Sequence, residues 1–183
     1  DINNCKIKKY LSKNLKIIIT DIDIFFELNK NNIIISVTGT NGKSTTCKII
    51  EKILKTANYN VKTVGNIGTP VLTARAENEK QIFILEVSSY QLQYSKQFKS
   101  NHAAILNISP DHLERHKNIN NYIKIKSKIF FSQKKGDYSY INLENRYSQF
   151  IKSIIKRNKI KSRLFLIKKS YCNKILKKID STY

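Results

Sequence analysis

The sequence predicts an α/β fold, a mostly parallel sheet with helices on both faces, from three observations. Residues 33–37, Ile-Ile-Ile-Ser-Val, form a continuous apolar and β-branched run, which is what a strand buried on both faces requires. Segments of strand and helix pattern alternate from there to residue 167, as they do when helical crossovers join parallel strands. A glycine-containing loop separates the first of these strands from the first of these helices.

Taken in order, residues 1–30 are the least regular, and Leu15–Thr20 reads as a strand left over from a preceding domain. Ile33–Val37 is the first strand of the sheet. Cys47, Ile50, Ile53 or Leu54, and Ala57 recur at helical spacing, so 44–57 is a helix. Val61–Val64 is a short strand, Ile82–Leu85 a buried one, 88–98 a helix and Ala103–Leu106 the next strand. Residues 119–131 are helical, Tyr138–Ile141 extended, 144–157 helical and Arg163–Ile167 extended. There is no internal repeat. The expected division is a preceding tail and linker at 1–30 and one main domain at 31–183.

Composition agrees with a single domain. The 183 residues suffice for one sizeable core and are too few for two or three domains of ~100–150 residues each. Apolar residues make up 40% of the chain, enough to bury a core despite a formal net charge of +21, so wholesale disorder is excluded. Arg occurs only at Arg75, Arg115, Arg146, Arg157 and Arg163, so the positive excess is lysine, spread through an Ile- and Asn-rich background. A nucleic-acid binder would cluster its cations on one face with Arg or aromatics interleaved, and only the basic 152–178 stretch approaches that. The expectation is a solvated lysine-rich surface with no nucleic-acid partner. Cys5, Cys47 and Cys172 are widely spaced and form no CxxC pair, which argues against a disulfide framework or a zinc site and fits a reducing cytoplasm. No apolar run reaches the ~18 residues of a membrane span, and the first thirty residues lack the shape of a signal peptide. A cytoplasmic, monomeric protein with no membrane partner is expected. The chain has no Met and starts at Asp1, as a fragment would.

Against this background the few glycines and prolines are informative. Gly39, Gly42, Gly65 and Gly68 sit in two short motifs, Pro70 closes the second, and Pro110 lies in a third with His112 and His116. The stretch Gly39-Thr40-Asn41-Gly42-Lys43-Ser44-Thr45 follows a strand and opens a helix, the setting of a phosphate-binding loop in a P-loop NTPase-like domain. Its glycines let backbone N–H groups turn around an anion, and the helix N-terminus adds its positive end. Lys43 would reach the β- and γ-phosphates of ATP, and the Ser44 hydroxyl would hold Mg²⁺. The spacing is compact, GxxGKST, because Val37 stands where the general pattern has its first glycine. Ligands of a parallel sheet lie beyond the carboxyl ends of the strands. Glu86 ends the 82–85 strand, and Asn107 to His112 follow the 103–106 strand, so both face the nucleotide side. Glu86 offers the carboxylate oxygen that Mg²⁺ prefers.

These motifs together resemble one family, the Mur ligases, ATP-dependent amide-forming enzymes of peptidoglycan precursor synthesis. Gly39–Thr46 (GTNGKSTT), Gly65–Pro70 (GNIGTP), Leu85–Leu92 (LEVSSYQL) and Asn107–His116 (NISPDHLERH) occur in the family's order and spacing. GNIGTP followed by EVSSYQL looks most like the members that add D-glutamate to UDP-N-acetylmuramoyl-L-alanine. The resemblance runs from about residue 18 to 145 and fades beyond. It implies that 1–30 is the tail of an N-terminal UDP-binding domain, that 31–183 is the central ATP-binding domain, and that the family's C-terminal domain is absent. By position it implies that Gly39 to Thr45 bind the ATP phosphates, that Ser44 and Glu86 hold one Mg²⁺ and His112 a second, and that Asn66 contacts the muramoyl substrate. Lys126 falls where the family has a lysine carbamylated by CO₂, a modification that turns a cation into a carboxylate-like metal ligand. Spacing alone leaves Lys124 and Lys128 open beside Lys126. Lys43, His112 and Lys126 are the implied catalytic residues. The alternatives are another Mur or folylpolyglutamate-type ligase, a basic P-loop module for nucleic acid, or a non-catalytic fragment.

Overall fold

The computed structural model describes residues 18–76 and 80–170. Six strands, β1 (Ile33–Thr38), β2 (Val61–Gly65), β3 (Ile82–Glu86), β4 (His102–Ile105), β5 (Tyr138–Asn142) and β6 (Arg163–Ile167), make one sheet in the order β2-β3-β1-β4-β5-β6. Every pairing in it is parallel, as the crossover pattern of the sequence predicts. The helices are α1 (Asp21–Leu28), α2 (Lys43–Thr56), α3 (Ser89–Tyr94), α4 (Leu113–His116), α5 (Ile119–Ser127) and α6 (Ser148–Arg157).

Alternation along the strands feeds two apolar layers. Ile34, Phe83, Leu85, Ala103, Ile105 and Ile141 face a large core completed by Ile22 and Phe25 of α1, Leu92 of α3, Ile123 of α5 and Ile151 and Ile154 of α6. Val37, Ile82 and Ile84 point the other way, onto Cys47, Ile50 and Leu54 of α2. Leu54, not Ile53, is the inward residue of that stripe; Ile53 is 61% exposed. Truncating a fully buried aromatic such as Phe83 to Ala would cost ~3–5 kcal/mol. Cys47 is fully buried, and desolvation together with Glu86 pushes its thiol up to about 12, so it packs as an inert apolar group. Cys5 and Cys172 lie outside the described residues. Among the described residues no helix is long and apolar enough to cross a membrane.

Five readings of the sequence differ from the structure. Within the irregular 1–30 stretch, residues 21–28 form a helix, started by a capping box in which the Asp23 N–H donates to Thr20 Oγ1 and the Thr20 N–H donates to the Asp23 carboxylate. Of the strand read at Leu15–Thr20, only residues 18–20 are described, and they carry no strand. The helix expected over 88–98 ends at Tyr94 because residues 95–98 turn to other partners. Ser95 Oγ and the N–H groups of Gln97 and Phe98 donate to the buried Asp23 carboxylate at 2.7, 2.9 and 2.8 Å, and the Lys128 ammonium donates to the carbonyls of Leu92, Gln93 and Ser95. Burial opposes ionisation of Asp23, yet the hydrogen bonds from Ser95 and Thr20 hold its carboxyl below the ordinary value. The segment 119–131 is helical to Ser127 and tightens to a 3₁₀ turn over Lys128–Phe130. The helix read at 144–157 starts at Ser148.

Candidate functional site

The carboxyl end of β1 runs into residues 39–42 and then α2, and the chain can make this turn because Gly42 takes a left-handed φ of +81° immediately before the helix. The first-turn N–H groups of α2 lack helical acceptors and converge with the positive end of the helix dipole on one spot. Beside it the Lys43 ammonium donates to the carbonyls of Gly39 and Thr40 at 3.1 and 2.9 Å.

Glu86 ends β3, paired with Val37 on β1 and Gly65 on β2, so its place behind the loop is set by sheet register. The side chain is only 2% exposed, and it accepts from Ser44 Oγ at 2.7 Å and from Asn66 Nδ2 at 3.3 Å. Asn66 reaches it because Gly65 lies against the Glu86 backbone, where a Cβ on residue 65 would come within 2.5 Å of the Glu86 carbonyl oxygen. No cation pairs with this buried carboxylate among the described residues, and its partners are neutral donors. Such a group, with a serine hydroxyl alongside, suits a hard divalent cation.

The opposite wall comes from α4 and α5. Lys126 is 2% exposed and its ammonium donates to the Gly39 carbonyl at 2.9 Å and to Thr38 Oγ1 at 3.3 Å, so it sits against the same carbonyl as Lys43. Burial, then the nearby Lys43 charge, lowers it to about 7. Lys124, one residue pair earlier on the helix, is exposed, and Lys128 is occupied in capping α3. Tyr122, one turn before Lys126, lies under it, with the ammonium 4.8 Å from the ring centre. His112 has a left-handed backbone at φ 52° and contacts Tyr90, whose hydroxyl lies 3.3 Å from Nδ1. Behind it His116 is buried with Nε2 3.0 Å from Ser89 Oγ; desolvation and the neighbouring Arg115 lower its pKa.

Lys43, Asn66, Tyr90, His112, Tyr122 and Lys126 line one polar cavity of about 320 Å³. Four of them were expected from the sequence, and Ser44 and Glu86 adjoin it through Asn66. Tyr90 and Tyr122 were not singled out for the site; the i, i+4 spacing of Tyr122 and Lys126 on one helix is the signal that could have found the second. A larger apolar cavity of about 510 Å³ lies elsewhere, on the sheet face beside α2, lined by Ile35, Leu54, Tyr59, Ile82 and Tyr140, and brings together none of the motif residues. No group of three or more His, Cys, Asp or Glu side chains suited to a metal occurs among the described residues; Glu86 is the buried carboxylate beside the cavity, and the part-exposed Asp111, next to His112, also lines it.

Known proteins share this fold. Residues 37–182 match the family described as the Mur ligase middle domain. The chain is 45% identical over 141 residues to a UDP-N-acetylmuramoylalanine--D-glutamate ligase of Rickettsia prowazekii, covering 77% of this chain and 31% of the relative. With the enzyme of that name from Rickettsia bellii the identity is 49% over 138 residues, covering 75% and 30%. The chain thus spans about a third of the length of these curated relatives. Among solved structures, a UDP-N-acetylmuramoyl-L-alanyl-D-glutamate--2,6-diaminopimelate ligase superposes with a TM-score of 0.60 at 24% identity, over 74% of this chain and 31% of that one. FolC from E. coli in complex with ADP superposes with a TM-score of 0.56 at 16% identity, over 86% and 50%. These likenesses carry the fold, while the family match extends over the loop, Glu86, His112 and Lys126 alike. With sheet order, phosphate loop and sequence match in agreement, the chain belongs to the Mur ligase family and has that family's middle-domain fold.

Proposed function

We propose that the chain is the ATP-binding part of a cytoplasmic ligase that joins D-glutamate to UDP-N-acetylmuramoyl-L-alanine in peptidoglycan precursor synthesis. The observation that carries this reading is the convergence of Lys43, His112 and Lys126 on one cavity beside the phosphate loop, with the Ser44–Glu86 pair adjoining it through Asn66. The names of the relatives favour D-glutamate as the incoming amino acid. In this reading 31–183 is the central domain, 1–30 the end of a UDP-binding domain, and Asn66 contacts the muramoyl substrate.

The γ-phosphoryl group of ATP passes to the substrate carboxylate, giving an acyl phosphate and ADP. The amine of D-glutamate then attacks the acyl carbon, forms the amide and expels phosphate. The first step brings two anions together, and Lys43, released from the Gly39 and Thr40 carbonyls, would lie against the phosphates as they meet. Ser44, Glu86, His112 and a carbamylated Lys126 would hold two Mg²⁺ ions, which when bound neutralise phosphate oxygens and align the transfer. A Lys126 amine that loses its proton at about 7 is a competent nucleophile toward CO₂ near neutrality. The carbamate would add a buried carboxylate-like group facing Glu86, beside the part-exposed Asp111 that also lines the cavity. The cavity of about 460 Å³ on the other side of the loop, lined by Asn41, Asn107, Asn142 and Lys169, would take the nucleoside end of ATP.

The test is phosphate release by the protein as encoded, with ATP, Mg²⁺ and UDP-N-acetylmuramoyl-L-alanine, with and without D-glutamate. Release that needs both substrates is expected. Release driven by a different amino acid would overturn the substrate assignment and leave the phosphate loop standing.

A further inference from the structure

The parallel pairing of β1 with β4 ends at Thr38 and Ile105, yet hydrogen bonding between the two chain segments continues beyond both strands. The Leu106 N–H donates to the Thr38 carbonyl and the Thr40 N–H donates to the Asn107 carbonyl, each at 3.0 Å. Next, a side chain takes over from the backbone. Asn107 Oδ1 accepts from the Asn41 N–H and Asn107 Nδ2 donates to the Asn41 carbonyl, both at 2.9 Å. One step further, the Thr40 hydroxyl donates to the Ser109 carbonyl and accepts from the Ser109 N–H. The tip of the phosphate loop is therefore bound on donor and acceptor sides by one carboxamide.

From this geometry we infer that Asn107 is a positioning residue that holds the loop in its phosphate-receiving shape before nucleotide arrives. The inference rests on the reading of 39–45 as a phosphate-binding loop. A glycine-containing loop left free would have to be ordered by the ligand, at ~1–2 kcal/mol of conformational entropy per residue fixed. Asn107 imposes that order in advance. It also engages the amide of Asn41 within the protein, so the N–H groups left for a phosphate are those that open α2. Because Asn107 and His112 belong to one connecting segment, the same bracket ties the loop to the His112 wall of the cavity.

The experiment compares the wild type with Asn107→Ala and Asn107→Asp in the protein as encoded, by hydrogen exchange at the Asn41 amide and by equilibrium binding of ATP with Mg²⁺. Asn107→Ala is expected to speed Asn41 exchange and weaken ATP binding, each by about tenfold, with the KM for the acceptor substrate unchanged. Asn107→Asp keeps the acceptor for the Asn41 N–H, so slow exchange should be restored, while its charge near the phosphates still weakens ATP; it also serves if the alanine variant fails to fold. Wild-type exchange and wild-type ATP affinity in Asn107→Ala would overturn the inference, as would fast Asn41 exchange in Asn107→Asp. Lys43→Ala separates the two readings, since it should lose ATP binding and keep slow Asn41 exchange. If the wild type itself does not bind ATP, the phosphate-loop reading fails, and the exchange rates alone decide whether Asn107 holds the loop.

Discussion

The two walls of the cavity are built in different ways. The phosphate-loop wall is local in sequence: Gly39 to Ser44 are consecutive, and Glu86 is brought behind them by strand register. The facing wall is tertiary. Lys126 reaches the Gly39 carbonyl across 87 residues, and His112 is set by a left-handed turn and by contact with Tyr90. The local wall presents backbone N–H groups whose geometry follows from the chain path. The tertiary wall presents side chains, one of which, Lys126, has its pKa lowered by burial. On the proposed function, the difference predicts that phosphate binding survives loss of the far wall, whereas the far wall depends on the loop.

The strongest test of that asymmetry is Lys43→Ala, which should lower ATP-dependent phosphate release by more than about a thousandfold; near-normal turnover would break the assignment of the local wall. Lys126→Met should lower the same rate by about a hundredfold, as loss of a metal-site group does, and leave ATP binding measurable. It should also change the pH dependence of stability. An unfolded lysine keeps its proton to about 10.5, and Lys126 in the fold loses it at about 7, so between those values the unfolded chain binds more protons. Stability contributed by this site therefore rises with pH from about 7 and is lowest at and below it. Lys126→Met should raise Tm by more than about 2 °C at pH 6, with the gain shrinking toward pH 10; an equal change at both would contradict the buried, deprotonating amine. Glu86→Gln removes one charge from the local wall and should weaken ATP about tenfold with Mg²⁺ present, with little change in its absence, as titration calorimetry would measure. Lys124→Ala should leave turnover within about twofold and stability within ~0.5 kcal/mol, because that lysine is exposed. A large loss there would exchange the roles of the two lysines.

The same division governs what could be read from sequence. The strand, glycine loop and helix of the local wall were legible because consecutive residues fix both pattern and chemistry. Helix α1 was not, since eight residues offer little periodicity, although the Thr20-x-x-Asp23 capping box was available. The end of α3 was invisible for a different reason: Asp23 and Lys128, distant in sequence, supply the hydrogen bonds that replace its last turns. Lys126 could be chosen over Lys124 and Lys128 only through resemblance to the family, because the choice depends on the rotation of α5 against β1. The role of Asn107 escaped for the same reason, as its partner Asn41 lies 66 residues away.

The central claim is that the two walls act as one phosphoryl-transfer site, and a double-mutant cycle on phosphate release tests it most directly. Wild type, Lys43→Ala, Lys126→Met and the double variant would be assayed with ATP, Mg²⁺, UDP-N-acetylmuramoyl-L-alanine and D-glutamate. Groups that act as a unit are non-additive, so the double variant should be no slower than Lys43→Ala alone. A double variant slower by the product of the two single effects would contradict the claim and make the walls independent.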